Sequence, residues 1–477
     1  MSLFLGVDLG TQSVKVVVLD AETRALVAQG QAALPEPAAP RPGAAEQDPA
    51  DWWRAFTAAM TETLADPAVD AGAIAGLGVS GQQHGMVALD EELNVLHPAK
   101  LWCDLEAVAE AEELSQLAGH PIPAGFTAPK LLWLSRHLPA LAARLRHLAL
   151  PHDWLNLQLT GALATDHGDA SGIGLYDPWT GEYRSELAAA VHEAGTDILL
   201  PLREATALHG TLLPEHAAAF GLPAELPVSI GSGDNMMSAL GAGATAPGQW
   251  VLSLGTSGTI FGPTAEAVHD PRGEVAPFRD ALGGGLPLVC TQNCSSVVEE
   301  ARRLLGGTHE ELTAAATALP WQDEDPLFLP YLTGERTPNW PQATGMLADL
   351  RPGGLEPARL YRAALEGASL ALIGGLARLE ELGLAVEALT LVGGGARNPL
   401  WAQLLADLGQ RPVQVHPEGE TAARGAAVQA AWAVAGIEPA ALAVEATAPP
   451  LAPDPAAAPR AAARRARFEE LGRRLFG

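Results

Sequence analysis

The chain repeats one short strand–turn–strand pattern, and this repeat limits the possible folds more than any other sequence feature. The first copy is GVDLGTQSVKVVVLD (6–20) and the second is QWVLSLGTSGTIFGP (249–263). In each copy two apolar, β-rich runs flank a Leu-Gly-Thr turn, at 9–11 and at 254–256. Runs of this type joined by a short Gly-containing turn are typical of β-hairpins. The repeat therefore predicts two related α/β domains with a cleft between them.

The length of 477 residues fits two or three domains at roughly 100–200 residues per domain. We expect a domain boundary near residue 245, which gives an N-terminal domain over 1–245 and a C-terminal domain over 246–440. The remainder, 441–477, contains a Pro/Ala-rich stretch that predicts an extended linker. It ends in RAAARRARFEELGRRLF, which predicts a terminal helix with a solvated basic face.

The composition excludes several classes of partner. Against 56 acidic residues stand only 29 basic ones, so the formal charge is −27. Such a surface repels polyanions and argues against nucleic acid or an anionic membrane as the partner, although a bound nucleotide needs only a local positive potential. The chain has no apolar stretch of about 18 residues and no signal-peptide pattern, which predicts a cytoplasmic protein. Cys103, Cys290 and Cys294 lack metal-site spacing, and we interpret the last two as buried thiols.

Three further segments carry glycine-rich turns next to predicted strands. AIAGLGVSGQQHGMVALD (73–90) predicts strand, turn and strand, whereas VSIGSGDNMMSALGAGA (228–244) predicts strand, turn and helix. ALTLVGGGARNPLW (388–401) predicts a strand and a triple-glycine turn, followed by a helix that begins near Asn398. Backbone N–H groups in such turns, together with helix N-termini, can bind phosphate.

Asp8 lies at the end of the first apolar strand, immediately before the first Leu-Gly-Thr turn. A carboxylate at this position is costly to bury unless it is paired or faces a cation. The residues alone leave open a hairpin with a solvated Asp at its bend. Together the two Gly-Thr turns and the GGGAR turn favour a nucleotide held between two lobes.

The order of these motifs resembles the actin–hexokinase–sugar kinase ATPase superfamily and, within it, the FGGY carbohydrate kinases, with the bacterial xylulokinases most similar. The matching stretches are GVDLGTQSVK, EQDPADWW, GVSGQQHGMVALD, LWCD, GFTAPKLLWL, LPHDWLNLQLTG, GSGDN, LSLGTSGT, FLPYLTGERTP and LVGGGARNPLW. They occur in order over nearly the whole chain. The resemblance implies an α/β fold with two ribonuclease-H-like domains flanking a catalytic cleft. It also implies transfer of phosphate from MgATP to a sugar hydroxyl, with D-xylulose as the sugar and the pentose phosphate pathway as the destination of the product.

The resemblance assigns roles to particular residues. Asp234 of GSGDN matches the catalytic aspartate, which accepts the sugar proton, and a carboxylate pKa near 4 would suffice for a loose transition state. Asp8 matches the residue that binds Mg²⁺ through water. The matched phosphate-binding residues are Gly10 and Thr11 in the first turn and Gly255 and Thr256 in the second. The matched adenosine-binding residues are Gly394, Gly395, Ala396 and Asn398. The matched sugar-binding residues are Gln83, His84, Trp102, Asp104, Asp234 and Asn235.

Each assignment has a structural alternative. Asp234 precedes a helix and suits an N-cap, and His84 could be an ordinary buried histidine. The glycines of the third turn could serve tight packing. Lys15 is a less favoured candidate for an electrophile, since an exposed strand residue has the same pattern.

The chain also departs from the family pattern at three places, and other functions stay open. Leu105-Glu106 follows the Trp-x-Asp segment where many relatives have Gly-Arg, Asn339 stands where His is common, and Arg424 interrupts a small-residue pattern. The first departure leaves the particular sugar open. Rival hypotheses are a kinase of another ketose or polyol such as ribulose or an alditol, an actin-like ATPase switch, and a sugar-sensing regulator. The sequence also leaves open whether the protein is a homodimer.

Overall fold

The structure, a computed structural model, describes residues 2–322 and 325–477. The chain forms two lobes, each built on a mixed β-sheet. In chain order the strands of the described residues are β1 (Leu3–Leu9), β2 (Ser13–Asp20), β3 (Leu26–Ala33), β4 (Glu46–Gln47), β5 (Ile74–Gly81), β6 (Val87–Leu89), β7 (Ala99–Lys100), β8 (His147–Ala149), β9 (Thr165–Asp166), β10 (Tyr176–Asp177), β11 (Glu182–Tyr183), β12 (Leu202–Arg203), β13 (Leu208–Thr211), β14 (Pro227–Ser229), β15 (Ser232–Gly233), β16 (Gln249–Leu254), β17 (Gly258–Phe261), β18 (Val275–Arg279), β19 (Gly285–Thr291), β20 (Leu327–Leu329), β21 (Met346–Ala348), β22 (Ala388–Val392) and β23 (Val413–Val415).

The α-helices alternate with these strands along the chain. Those of the described residues are α1 (Pro49–Leu64), α2 (Val108–Ala118), α3 (Thr127–His137), α4 (Pro139–Ala142), α5 (Pro151–Thr160), α6 (His167–Ala170), α7 (Ser185–Val191), α8 (Pro214–Phe220), α9 (Asp234–Gly241), α10 (Ser295–Leu305), α11 (His309–Ala318), α12 (Pro357–Glu381), α13 (Pro399–Gly409), α14 (Thr421–Ala435) and α15 (Ala458–Phe476). The predicted caps are present, since Asp48 accepts from Ala50 N and Asn398 accepts from Leu400 N and Trp401 N.

The two large sheets share one pairing pattern. In the N-terminal sheet the strand order is β13-β14-β5-β1-β2-β3, with β1–β2–β3 antiparallel and β5 and β14 parallel to β1. In the C-terminal sheet the order is β18-β19-β17-β16-β22-β23, with β16–β17–β19 antiparallel and β22 and β23 parallel to β16. The two Leu-Gly-Thr turns therefore occupy equivalent hairpins. The predicted fold class, two α/β lobes on either side of a cleft, is confirmed.

Helix α14 packs on the N-terminal sheet although it follows the C-terminal strands in sequence. Its backbone lies so close that a Cβ added at Gly6 of β1 would be 1.9 Å from Ala423 O, and one at Gly78 of β5 would be 2.1 Å from Ala426 O. Only glycine allows strand and helix backbones to approach this closely. The predicted boundary near residue 245 is thus crossed by a helix that returns to the first lobe.

The basic C-terminal helix buries one of its arginines in the C-terminal lobe. Helix α15 packs beside α13, and Arg464 is buried, with Nε donating to Glu366 Oε1 at 2.9 Å. The prediction of a solvated basic face is wrong at Arg464. The guanidinium is inward because Glu366 of α12, itself buried, needs a cationic partner.

The cysteines and Arg424, one of the departures from the family pattern, differ in how deeply they are buried. Cys294 is fully buried as predicted, whereas Cys290 is half-buried in the wall of the central cleft, and both are free thiols. Arg424 is buried in α14, where it pairs with Glu418 at 2.9 Å and donates to the Leu442 carbonyl at 2.8 Å. Among the described residues no helix is both long and apolar enough to span a membrane.

Candidate active site

A cleft of about 570 Å³ separates the two lobes. Its walls come from the carboxyl ends of β1 and β5 and the starts of α9 and α14 on one side, and from the β16–β17 hairpin, β18 and β19 on the other. Seven of the residues predicted for the site line it: Asp8, Gln83, His84, Trp102, Asp234, Asn235 and Gly255. Residues widely separated in sequence therefore meet in one cavity.

Asp8 ends β1 beside two polar neighbours. Ser80 of β5 donates to Asp8 Oδ1 at 3.0 Å, and Lys15 of β2 is its cross-strand partner. Lys15 Nζ is 2.6 Å from Oε2 of Glu420, the residue before α14, so the charge of the lysine is shared between Glu420 and Asp8. Burial raises the pKa of Asp8 to about 6, although the nearby Lys15 lowers it.

Asp234 is the first residue of α9, but it does not cap the helix. Asn235 Nδ2 donates to Asp234 Oδ1 at 3.0 Å and to Gln83 Oε1 at 2.8 Å. One amide thus fixes the carboxylate relative to the predicted sugar-binding pair. The carboxylate stays open to the cleft.

The pKa of Asp234 differs from the ordinary value near 4. Burial raises it to about 8, and the negative charges of Asp8 and Asp169 add to this effect. Two carboxylates that line one cleft, with the charge of Asp8 raising the pKa of Asp234, have the donor set that a hard divalent cation prefers. Asp8 and Asp234 therefore fit a bound Mg²⁺, which would favour the ionised form of both.

Behind Asp234 lies a buried ion cluster that the sequence did not reveal. His152 Nδ1 is 2.7 Å from Asp169 Oδ2, and its Nε2 is 3.0 Å from Asp153 Oδ1. Burial disfavours the imidazolium, but contacts with these two carboxylates outweigh it and raise the pKa of His152 well above the usual value. The cluster places an imidazolium between two carboxylates under the floor of the cleft.

Gln83 and His84 form the wall next to Asp234. Gln83 Nε2 is buried and makes no hydrogen bond within the described protein, so it is a donor available to a ligand. His84 adopts a left-handed backbone with φ of 65°, and its ring stacks on Phe126 at 4.5 Å. Burial lowers the pKa of His84 to about 3, and the charges of Lys130 and Arg336 act in the same direction. The ring is therefore neutral, with Nδ1 3.0 Å from the Gly172 carbonyl oxygen.

The two Gly-Thr turns are at the mouth of the cleft. In the first, Thr11 Oγ1 donates to Gln82 Oε1 at 2.8 Å and accepts from Trp102 Nε1 at 3.0 Å, which fixes the turn to the β5 loop. In the second, Gly255 lines the cleft and the Thr256 side chain is exposed. Gly10, Thr11 and Thr256 themselves do not line the cavity.

The third turn lies beside the second. Gly393 lines the cleft with φ of 87°, and a Cβ there would be 2.9 Å from Leu254 O. Gly394, Gly395 and Ala396 follow in a short 3₁₀ turn outside the cavity wall. Asn398 also lies outside the cavity wall, where it caps α13 and its Nδ2 donates to Thr313 Oγ1 at 2.9 Å.

Asp104 is another predicted site residue that does not line the cleft. It is fully buried, accepts from Ala45 N at 2.9 Å and pairs with Lys100 Nζ at 3.1 Å. Lys100 also contacts Glu106 at 2.6 Å, and Glu106 in turn pairs with Arg41. Glu106, the departure from the family pattern, belongs to this ion cluster and lies outside the cavity wall.

Several lining residues escaped the residue-level predictions. Phe126, Phe278, Glu274, Cys290 and Arg336 belong to them. Phe126 and Arg336 belong to the stretches GFTAPK and GERTP, which match the family pattern. The sequence analysis assigned no role to either side chain. Phe278 and Glu274 are on strand β18 or just before it, and no sequence pattern marks that strand as cleft-facing.

The raised pKa of Asp234 predicts a pH effect on the ligand-free, metal-free protein. A carboxyl whose pKa rises from an ordinary 3.8 to about 8 on folding binds more protons folded than unfolded between these values. Its contribution to stability therefore falls as pH rises through this window. We therefore expect the difference in melting temperature, Asp234→Asn minus the unsubstituted chain, to increase from pH 5 to pH 8. Asp48→Asn, at an exposed N-cap where Asn is equally suitable, is the control, and parallel curves for all three proteins would contradict the raised pKa.

Both halves of the chain match domains of a known protein family. The N-terminal domain of the FGGY family of carbohydrate kinases matches residues 3–241, and the C-terminal domain of this family matches residues 250–434. A xylulose kinase from Streptomyces coelicolor is 38% identical over 453 residues, 92% of this chain and 90% of that protein. A xylulose kinase from Haemophilus influenzae is 35% identical over 448 residues, 90% of each chain. A crystal structure described as a xyloylose kinase from Brucella ovis superimposes with a TM-score of 0.93 at 33% identity over 99% of both chains. The chain belongs to the FGGY family of carbohydrate kinases.

Proposed function

We propose that the protein transfers the γ-phosphate of ATP to the 5-hydroxyl of D-xylulose. The observation that carries the proposal is a pair of hydrogen bonds in the cleft, from Asn235 to Asp234 and from Asn235 to Gln83. They place a carboxylate that can accept a proton next to neutral side chains that can bind sugar hydroxyls. Xylulose kinases from several bacteria are 35–38% identical over most of the chain, which supports the choice of sugar. The product would supply the pentose phosphate pathway.

In this mechanism Asp234 accepts the proton of the sugar hydroxyl. The sugar oxygen forms a bond to the γ-phosphorus, the bond from the γ-phosphorus to the bridging β–γ oxygen breaks, and ADP leaves. Because Asp234 must be ionised to act, its raised pKa must fall when the cleft is loaded. Asp8 would hold Mg²⁺ through water, and this ion would supply charge neutralisation for the phosphates and for Asp234.

The remaining roles follow the predicted assignments. Gly10 and Thr11 would bind phosphate from one lobe and Gly255 and Thr256 from the other, after the lobes close on the nucleotide. Gly394, Gly395 and Ala396 would contact the adenosine, with Asn398 holding this turn in place through the α13 cap. Trp102 would border the sugar and also fix Thr11. Because Asp104 is buried and pairs with Lys100, it would not contact the sugar and would instead support the segment that carries Trp102.

The domain division, compartment and assembly are also part of the proposal. We keep 1–245, 246–440 and 441–477 as the division by sequence, with α14 contributed by the second domain to the first lobe. A cytoplasmic location is supported by the need for ATP and by three free thiols. A homodimer is the assembly to be tested first by light scattering.

An ADP-release assay with a panel of pentuloses, hexuloses and polyols tests the proposal. D-xylulose should give the highest kcat/KM, and ATP hydrolysis without sugar should be slow. A preference for ribulose or an alditol would favour the rival sugar kinases. Fast hydrolysis that is indifferent to sugar would favour the actin-like ATPase switch.

The position of His84 allows a test of the sugar wall. Asn accommodates a left-handed backbone, so His84→Asn removes the ring and its stacking on Phe126 while keeping the turn. The KM for D-xylulose should rise at least tenfold, and the KM for ATP should change less than threefold. Equal changes in the two KM values would give His84 a structural role instead.

A further inference from the structure

Arg336 is a cation in the cleft that none of the assignments above uses. It follows Glu335, which is buried and accepts from Gln292 N at 2.6 Å, from Asn293 Nδ2 at 3.1 Å and from Arg336 N at 2.8 Å. Residues 335 and 340 form an antiparallel bridge, which closes the loop behind it. The backbone at Arg336 is therefore held firmly by the C-terminal lobe.

The guanidinium reaches from this loop toward the N-terminal lobe. Arg336 Nε is 3.2 Å from the Gln292 amide oxygen when that amide is oriented to donate to the Thr333 carbonyl. Nη2 is 3.7 Å from the position of a Cβ built on Gly125, the residue before Phe126. Within residues 2–322 and 325–477, no carboxylate forms an ion pair with Arg336. The guanidinium also forms a hydrogen bond with the side chain of Cys290, which lines the same cavity, so its charge is directed at the cleft and is not neutralised there by a carboxylate.

The contacts along the wall give the cleft two chemically different ends. Asp234 bonds to Asn235 and Asn235 to Gln83, whose neighbour His84 stacks on Phe126. Arg336 approaches this wall at Gly125, the residue before Phe126. A sugar whose reacting hydroxyl faces Asp234 would therefore direct its opposite end to Arg336.

The other cation near this end is already satisfied by the protein. Lys130 is fully buried and donates to His84 O at 2.9 Å and to Gly125 O at 2.7 Å. It supports the wall from behind and does not line the cavity. Arg336 is the charged donor of the cavity wall at this end.

We propose that Arg336 determines substrate specificity by donating a hydrogen bond from the C-terminal lobe to the carbonyl oxygen of the sugar. This inference rests on the proposed function, because a 2-ketose phosphorylated at its far hydroxyl has the carbonyl at the other end. A ketone oxygen only accepts, and a guanidinium only donates. An alditol hydroxyl at the same place also carries a proton that Arg336 cannot accept, so the alditol gains less from this contact.

The test compares Arg336→Gln and Arg336→Lys with Arg351→Gln, which replaces an exposed arginine of the same lobe. D-xylulose and xylitol are the substrates. Arg336→Gln should lower kcat/KM for D-xylulose by about 10- to 100-fold, the range expected for a hydrogen bond to a charged group. For xylitol the loss should stay below threefold, and the loss for D-xylulose should appear in its KM more than in the KM for ATP. Arg336→Lys should fall between Arg336→Gln and the unsubstituted enzyme.

Equal losses for the two substrates, or a loss confined to the KM for ATP, would overturn the role of Arg336. Failure of the unsubstituted enzyme to phosphorylate D-xylulose would instead overturn the proposed function. The two failures are distinguished because the first requires an active unsubstituted enzyme. Circular dichroism and melting temperature of each variant separate loss of the contact from loss of the fold.

Discussion

Asp234→Asn is expected to lower kcat for sugar phosphorylation by about 10²- to 10⁴-fold, the usual effect of removing a general base. Asparagine keeps the size of the side chain but cannot accept the proton, so sugar and nucleotide binding should persist. Binding measured by calorimetry and turnover measured by ADP release check both parts. Asp48→Asn, at an exposed N-cap outside the cavity wall, is the control for the substitution itself.

Two results would contradict this prediction. Turnover within tenfold of the unsubstituted enzyme would remove Asp234 from proton transfer. Loss of sugar and ATP binding together with loss of turnover would mean that the carboxylate mainly holds the cleft together. The second result would be understandable structurally, since Asn235 links Asp234 to Gln83.

Gly425→Ala is expected to cause the largest loss of stability. A Cβ at Gly425 of α14 would lie 1.8 Å from Met237 O of α9, and one at Gly241 would lie 1.9 Å from Thr421 O, so the two helices touch through their backbones. Separating them should destabilise the protein by about 3 kcal/mol, the upper part of the range for an overpacked core. Because α9 begins with Asp234, kcat should fall as well.

Gly374→Ala is the matched control. Gly374 is also inside a helix, α12, but a Cβ there meets nothing within 4 Å. This substitution should stabilise the protein by roughly 0.5–1 kcal/mol, because Ala loses less conformational freedom than Gly in a helix. Denaturant unfolding of both variants checks the pair, and a neutral Gly425→Ala would show that α9 and α14 can move apart without cost.

The sequence predicted those parts of the fold that depend on local pattern. The hairpins around Leu9 and Leu254 follow from two apolar, β-rich runs joined by a glycine turn. The helices after Asp48 and Asn398 follow from their capping residues. Asp8 was singled out because a carboxylate at the end of an apolar strand is costly to bury, whereas Asp234 was assigned through the resemblance of GSGDN to the family motif. These features need only neighbours in sequence.

Features that depend on residues distant in sequence were not predicted. The pKa of Asp234 is set by burial and by Asp8 and Asp169, which no spacing relates to it. Asp104 was assigned to the cleft from its motif, but Lys100 turns it inward. Arg336 lies in a recognised stretch, yet its direction depends on the buried Glu335 that fixes the loop.

The return of α14 to the first sheet has a consequence for biosynthesis. During translation strands β1 and β5 emerge from the ribosome more than 300 residues before the helix that covers them (β5 ends at Gly81, α14 begins at Thr421). Until then the strand faces at Gly6 and Gly78 and the small residues of α9 have no partner. A nascent chain that stops between the two halves of the family pattern would expose this surface and be prone to aggregate. The unit that folds therefore includes α14, and the burial of Arg464 against Glu366 extends it through α15.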